Sequence, residues 1–241
     1  MTNLRWKQGV SHAYYYDARK FGGSYVPIES PAPSTNVQGC FQNPNQRDIA
    51  FCQIIDDTYR TITYNAFEHI MKSGMGTVSG GERNEGTYNS GRISEGNTVR
   101  YTCYHKIPTG WTDDFPSNRF MLFQQWHNQA DGGSPPHVLG YGRIGSQYLL
   151  QPTFFNTPSV DVSEFIELFI DKWVRVDTVI KWSSGSDGSM NVYRNGVLKF
   201  SRTGQSMNSG DLPYWKFGMY RDAAINLDNS VWTKYISQTI L

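Results

Sequence analysis

The chain has 241 residues, 38% hydrophobic and 15% aromatic, with 23 glycines, 11 prolines and a formal net charge of +1. That composition supplies both a core and the turns of a many-stranded sheet, and it excludes a chain that is disordered throughout. A near-neutral balance provides no global field for nucleic acid, so an acidic ligand has to be met by a local cluster. No apolar run approaches the ~20 residues of a membrane-spanning helix.

One domain over residues 1–241 is expected, because β-sandwiches commonly reach this length. The opening residues, Met1-Thr2-Asn3-Leu4-Arg5, lack the apolar segment of a signal peptide, which fits the mature form of a secreted protein. Residues 1–45, with Ser30-Pro31-Ala32-Pro33-Ser34 and Asn43-Pro44-Asn45, read as extended wrapping and loops. Of the three cysteines, Cys40 and Cys52 could close a short loop in an oxidising compartment, while Cys103 stands in a strand-like run as a small hydrophobe. No C-x-x-C spacing points to zinc.

Strand signals dominate from about Tyr59 onward. Val99 to His105, Arg119 to His127, Trp173 to Trp182 and Ser189 to Phe200 are rich in β-branched and aromatic residues. Ser186-Asp187-Gly188 and Arg194-Asn195-Gly196 mark tight hairpin turns. Only Val160 to Asp171 has helical spacing. Short successive strands with little helix predict an all-β antiparallel β-sandwich, most simply a β-jelly roll.

Three segments place polar residues at alternate positions of otherwise apolar strands, which is how a sheet lines a cleft while its other face fills a core. In Tyr214 to Tyr220, alternation sends Trp215, Phe217 and Met219 to one face and Tyr214, Lys216, Gly218 and Tyr220 to the other. Gln125 and His127 share a face across Trp126, and Arg83 and Glu85 share one across Asn84. Arg, Gln and Asn suit the neutralisation of a carboxylate, and His and Tyr suit proton transfer. Lys216 could favour the phenolate of Tyr220, although four residues on one strand span ~13 Å. Against this stand blander readings: a strand histidine is often a structural hydrogen-bond partner, and Arg83 with Glu85 could be a surface pair.

These motifs, Arg83-Asn84-Glu85, Gln125-Trp126-His127 and Tyr214 through Tyr220, resemble in kind and order those of the jelly-roll polysaccharide lyases. That group includes glucuronan lyase, alginate lyases and heparin lyase I. The resemblance covers roughly Gly80 to the C-terminus, and the last motif is its most specific element. It implies a concanavalin-like sandwich with a concave substrate cleft and cleavage of a uronate-containing polysaccharide by β-elimination. It also implies His127 and Tyr220 as the acid/base pair. Gln125, Arg83 and Asn84 would bind the carboxylate, and Glu85, Lys216 and Tyr214 would contact substrate. Thr87 stands where a second arginine often follows the glutamate, which favours glucuronan over alginate; a heparin-type substrate would call for more clustered cations.

The resemblance further implies an extracellular monomer whose partner is the acidic polysaccharide, with neither nucleic acid nor membrane. It implies no cofactor required for catalysis. A structural calcium fits the family, with Asp222 and Asp228 as acidic residues that could serve it. Two other classes compete. A non-catalytic glycan-binding module could use a groove lined by Trp111, Tyr141 and Tyr148. A glycoside hydrolase would need two facing carboxylates, but there is no E-x-D-x-x-E strand, and Glu164 and Glu167 are spaced for one helical face that meets solvent rather than substrate. His127 and His137 could in principle share a metal, but Asp131 to Pro136 between them reads more simply as a loop at the cleft edge.

Overall fold

The computed structural model describes residues 50–59, 62–71, 81–88, 93–111, 118–127 and 134–241. The proposed Cys40–Cys52 pairing and most of the loop between His127 and His137 lie outside the described residues. Among the described residues there are fourteen strands: β1 (Ala50–Tyr59), β2 (Ile62–Met71), β3 (Gly81–Tyr88), β4 (Thr98–Lys106), β5 (Met121–His127), β6 (His137–Ile144), β7 (Gln147–Phe154), β8 (Thr157–Pro158), β9 (Ile166–Leu168), β10 (Val174–Lys181), β11 (Ser189–Arg194), β12 (Val197–Thr203), β13 (Tyr214–Asp222) and β14 (Asn229–Ile240). They form two seven-stranded antiparallel sheets. One runs β1-β2-β14-β4-β10-β11-β12; the other runs β3-β13-β5-β6-β7-β8, with β9 paired to β7.

Period-two alternation builds the layer between the sheets. From the first sheet, Val99, Tyr101, Cys103 and His105 of β4 and Val174, Val176, Thr178 and Ile180 of β10 are buried. From the second come Met121, Phe123, Trp126, Trp215, Phe217 and Met219. Trp126 and Trp215 stack at 6.4 Å, and Tyr101 meets their rings edge-on at 5.4 and 5.3 Å. Its hydroxyl accepts a hydrogen bond from Trp182 Nε1 at 3.0 Å, so the one polar atom this ring brings inside is satisfied. The Cys103 thiol is fully buried and its pKa is pushed up by that burial.

The Asn195-Gly196 turn joins β11 to β12 with φ of +50° and +86°, the left-handed pair that a two-residue hairpin demands. The helix expected over Val160 to Asp171 is not formed. The segment instead has one 3-10 turn, Val162–Glu164, followed by β9. Ile166 and Leu168 point inward and pair through β9 with β7, a period-two pattern that the helical spacing of the acidic residues concealed. Glu164 pairs with Arg202 at 2.6 Å and Glu167 with Arg194 at 2.8 Å, so these carboxylates are taken up by ion pairs.

Candidate active site

The cleft floor is built from three adjacent strands with β13 between β3 and β5. Across β5, Tyr214 stands opposite His127 and Lys216 opposite Gln125; across β3, Lys216 faces Thr87, Gly218 faces Glu85 and Tyr220 faces Arg83. Alternation therefore puts Tyr214, Lys216, Tyr220, Gln125, His127, Arg83 and Glu85 on one face, as the sequence motifs suggested.

Gly218 marks a break in the regular pairing of β13. The register between β13 and β5 slips between Phe217 and Tyr220, so β13 carries a bulge there. Gly218 adopts φ of +126°, and a Cβ on it would lie 2.5 Å from the carbonyl oxygen of Asn84 and 2.7 Å from His69 Nδ1. Glu85 stands opposite Gly218 and Gln125 opposite Lys216, on strands two apart and offset by two residues, and their long side chains meet across β13. Gln125 Nε2 donates to Glu85 Oε1, and Arg83 Nη1 lies 3.7 Å from Glu85 Oε2.

Lys216 is only 3% exposed. Burial lowers its pKa from the ordinary lysine value, the Glu85 carboxylate pulls it back up, and the Arg83 cation adds to the lowering. Its Nζ lies 5.6 Å from the centroid of the Tyr214 ring. The imidazole of His127 stacks on Tyr214 with centroids 5.7 Å apart and planes at 27°. At the other end of β13, the Arg83 guanidinium lies 3.9 Å over the Tyr220 ring, and Phe120 meets that ring edge-on at 5.0 Å.

Two expectations change on this geometry. His127 and Tyr220 are not brought together: with His127 opposite Tyr214, Tyr220 stands six residues further along, ~20 Å in an extended strand. The tyrosine beside His127 is Tyr214. Asn84 belongs to the opposite face. It pairs across strands with the core residue Met219, is fully buried, and accepts a hydrogen bond on its backbone oxygen from His69 Nδ1 at 3.0 Å. It therefore shapes the sheet beneath the cleft and does not line it.

Other candidates resolve as structure. His137 is buried, with Nε2 donating to the Ser206 carbonyl at 2.7 Å and Nδ1 accepting from the Phe155 amide at 3.1 Å, so it shares no metal with His127. Trp111 donates to the Tyr141 hydroxyl at 2.9 Å, and both rings pack on the core residue Phe123, with Tyr148 packed on the same core, so all three rings are tied into the packing between the sheets. Among the described residues no three His, Cys, Asp or Glu side chains converge as a metal site. Asp222 instead takes Arg119 at 3.3 Å and the Ala224 amide at 2.8 Å, which does not fit a calcium ligand set. Sequence reasoning missed His69, Phe120 and Gly81; of these only Phe120 carried a signal, an aromatic residue at the entry of a cleft strand.

A search of curated protein sequences finds no match. The sequence family described as polysaccharide lyase matches residues 50–239. Among solved structures, the fold is similar to the endo-beta-1,4-glucuronan lyase of the fungus Trichoderma reesei, with a TM-score of 0.62, 14% identity, and coverage of 86% of this chain and 91% of that one. It is also similar to alginate lyase Aly36B, with a TM-score of 0.55, 10% identity, and coverage of 97% and 94%. A variant of Aly36B in complex with an alginate trisaccharide gives a TM-score of 0.55 at 9% identity, covering 85% and 97%. With a family match over most of its length and a two-sheet fold to accompany it, this chain belongs to the polysaccharide lyase family.

Proposed function

We propose that this polysaccharide lyase acts outside the cell on a linear glucuronan, breaking the glycosidic bond by β-elimination with His127 and Tyr214 as its proton-transfer pair. The observation that carries this reading is the stacking of His127 on Tyr214 beside the buried Lys216. Elimination removes the C5 proton of a uronate, forms the C4=C5 double bond, and expels the C4 oxygen, which takes up a proton as it leaves. In a β-1,4-linked glucuronate the C5 hydrogen and the C4 oxygen depart from the same side of the ring. Two proton-transfer groups on one sheet face, on neighbouring strands, suit that geometry.

The charge of the floor supports an acidic substrate. Arg83 and Lys216 contribute two cations and Glu85 one anion, leaving one positive charge for one uronate carboxylate. Gln125, held through its amide nitrogen by Glu85, and Lys216 are placed to stabilise the negative charge that spreads onto the carboxylate as the C5 proton leaves. The limited cation count, together with the fold likeness to a glucuronan lyase, favours glucuronan over a sulfated chain.

Ultraviolet absorbance of the unsaturated uronate tests this directly, with the protein supplied in turn with glucuronan, alginate, heparin and a neutral glucan. A rise on glucuronan that is lost in His127→Ala and Tyr214→Phe is expected. A faster rise on alginate would transfer the substrate; no rise on any uronan would overturn the reading.

A further inference from the structure

One polar side chain crosses between the two sheets beneath the cleft floor. His69 of β2 belongs to the first sheet and is fully buried, as is Thr233 on the neighbouring strand β14. Its Nδ1 lies 3.0 Å from the carbonyl oxygen of Asn84 in β3, a strand of the second sheet, and its Nε2 lies 2.9 Å from Thr233 Oγ1. A carbonyl oxygen only accepts, so Nδ1 carries the proton. Burial holds the pKa of the ring down to about 4, so at neutral pH it is neutral and Nε2 accepts from the threonine hydroxyl. Thr233 thereby favours the tautomer that aims an N–H across the layer between the sheets. Phe217 packs edge-on against the imidazole at 6.0 Å, a contact that an apolar ring would make as well; what histidine adds here is the donor.

We infer that His69 is a positioning residue of the lyase site, holding the backbone between Arg83 and Glu85 at the height where Glu85 meets Gln125. The inference rests on the lyase reading above. Asn84 is the residue between those two, and its side chain is on the core face, so a tether on its carbonyl sets the depth of β3 under both cleft side chains. Gly218, opposite Glu85, completes the seat. A Cβ there would come 2.7 Å from Nδ1, so the ring fills the space that the glycine leaves and supports the bulge of β13 at the same time. Glu85 accepts from Gln125 Nε2, so the aim of the amide that meets the uronate carboxylate is set, through β3, from the opposite sheet. A misplacement of about 1 Å at such a group costs on the order of a hundredfold in rate.

Leucine and asparagine have nearly the same shape, and an asparagine amide nitrogen stands close to where Nδ1 does. His69→Leu and His69→Asn therefore lose the same volume and the same Thr233 bond, while only the second keeps a donor for the Asn84 carbonyl. Each variant is read twice: by kcat and KM for unsaturated product on the uronan that the unsubstituted protein cleaves fastest, and by the NMR shift of the Gln125 side-chain amide proton, which reports its bond to Glu85. His69→Leu is expected to lower kcat about ten- to a hundredfold with a smaller rise in KM, and to move the Gln125 resonance upfield. His69→Asn is expected to restore the resonance and about tenfold in kcat over His69→Leu. Equal kcat in the two variants, or a Gln125 resonance unmoved by His69→Leu, overturns the positioning role. If His69→Leu does not fold, His69→Asn decides: a Gln125 resonance shifted upfield in that variant overturns the role, and one retained supports it. No unsaturated product from the unsubstituted protein on any uronan would overturn the lyase reading, and the Gln125 resonance would still decide the tether.

Discussion

The imidazole of His127 lies against the phenol of Tyr214, centroids 5.7 Å apart, while Tyr220 occupies the far end of the same strand against Arg83. Both tyrosines are on the cleft face, so they can be told apart by kinetics. Tyr214→Phe and His127→Ala are expected to lower kcat by about two to four orders of magnitude, the usual cost of losing a positioned acid or base. Tyr220→Phe keeps the ring that packs on Arg83 and Phe120 and should cost less than about tenfold, read as the initial rate of unsaturated product.

Lys216 gives the reaction an alkaline limit. Its folded pKa lies below the ordinary lysine value because it is buried, so the ammonium is lost at a lower pH than in water. The profile of kcat/KM, which reports the free enzyme, should therefore fall on the alkaline side before the ordinary lysine range of about 10.4 is reached. Lys216→Arg should be less active at neutral pH and move that limb upward, since a guanidinium keeps its proton.

At Gly218 the backbone leaves no choice of side chain. With φ of +126° and a Cβ that would approach Asn84 O to 2.5 Å, Gly218→Ala forces the bulge to open or the two sheets to part. A loss of about 2 kcal/mol or more is expected by denaturant titration, with activity falling as well, because Gly218 stands in the strand that carries Lys216 and Tyr220.

Arg221 ties together β13 and β3, two of the three strands of the cleft floor. It is fully buried, with Nε and Nη2 each 2.7 Å from Glu82 Oε2, and Nη1 2.7 Å from both the Leu227 carbonyl and Asn229 Oδ1. Arg221→Met leaves the Glu82 charge buried without this partner and should cost about 3–5 kcal/mol; adding Glu82→Leu should recover much of it. Thermal unfolding of the single and double variants checks this, and a double variant no better than the single one would count against the pair.

Acid should weaken the fold through buried histidines that do not line the cleft. Burial pushes the pKa of His69 and His137 down to about 4 and that of His105 to about 3. In the unfolded chain they take protons near 6.5, so between about pH 6.5 and 4 the unfolded state binds more protons and stability falls as pH falls. With three such groups the slope reaches up to ~4 kcal/mol per pH unit near pH 5. The melting temperature should drop steeply from pH 7 to pH 5; a flat profile would mean these imidazoles are protonated in the folded protein.

Much of the architecture could be read from residue order, because alternation along one strand is a local property. The faces of Tyr214 to Tyr220 and the Asn195-Gly196 hairpin follow from it. What alternation does not contain is register between strands distant in sequence. Nothing in the residues says whether His127 sits opposite Tyr214 or Tyr220, and a slide of six residues keeps every side chain on its face. Asn84 is a simpler case: the motif taken as a unit puts it in the cleft, although its middle residue must point the other way. The missing helix shows helical spacing of acidic residues outweighing a short apolar alternation, Ile166 and Leu168, which only the edge of β7 could turn into a strand.

β13 is hydrogen-bonded along both edges, to β3 and to β5, and it carries Tyr214, Lys216 and Tyr220 together. Amides so placed open only with the larger folding unit, so these three side chains sit on a stiff ruler with fixed spacing. The binding free energy is then not drained by ordering the protein, and distortion falls on the ligand: a flexible polymer must straighten to the pitch of the strand before its sugars can be counted off against it.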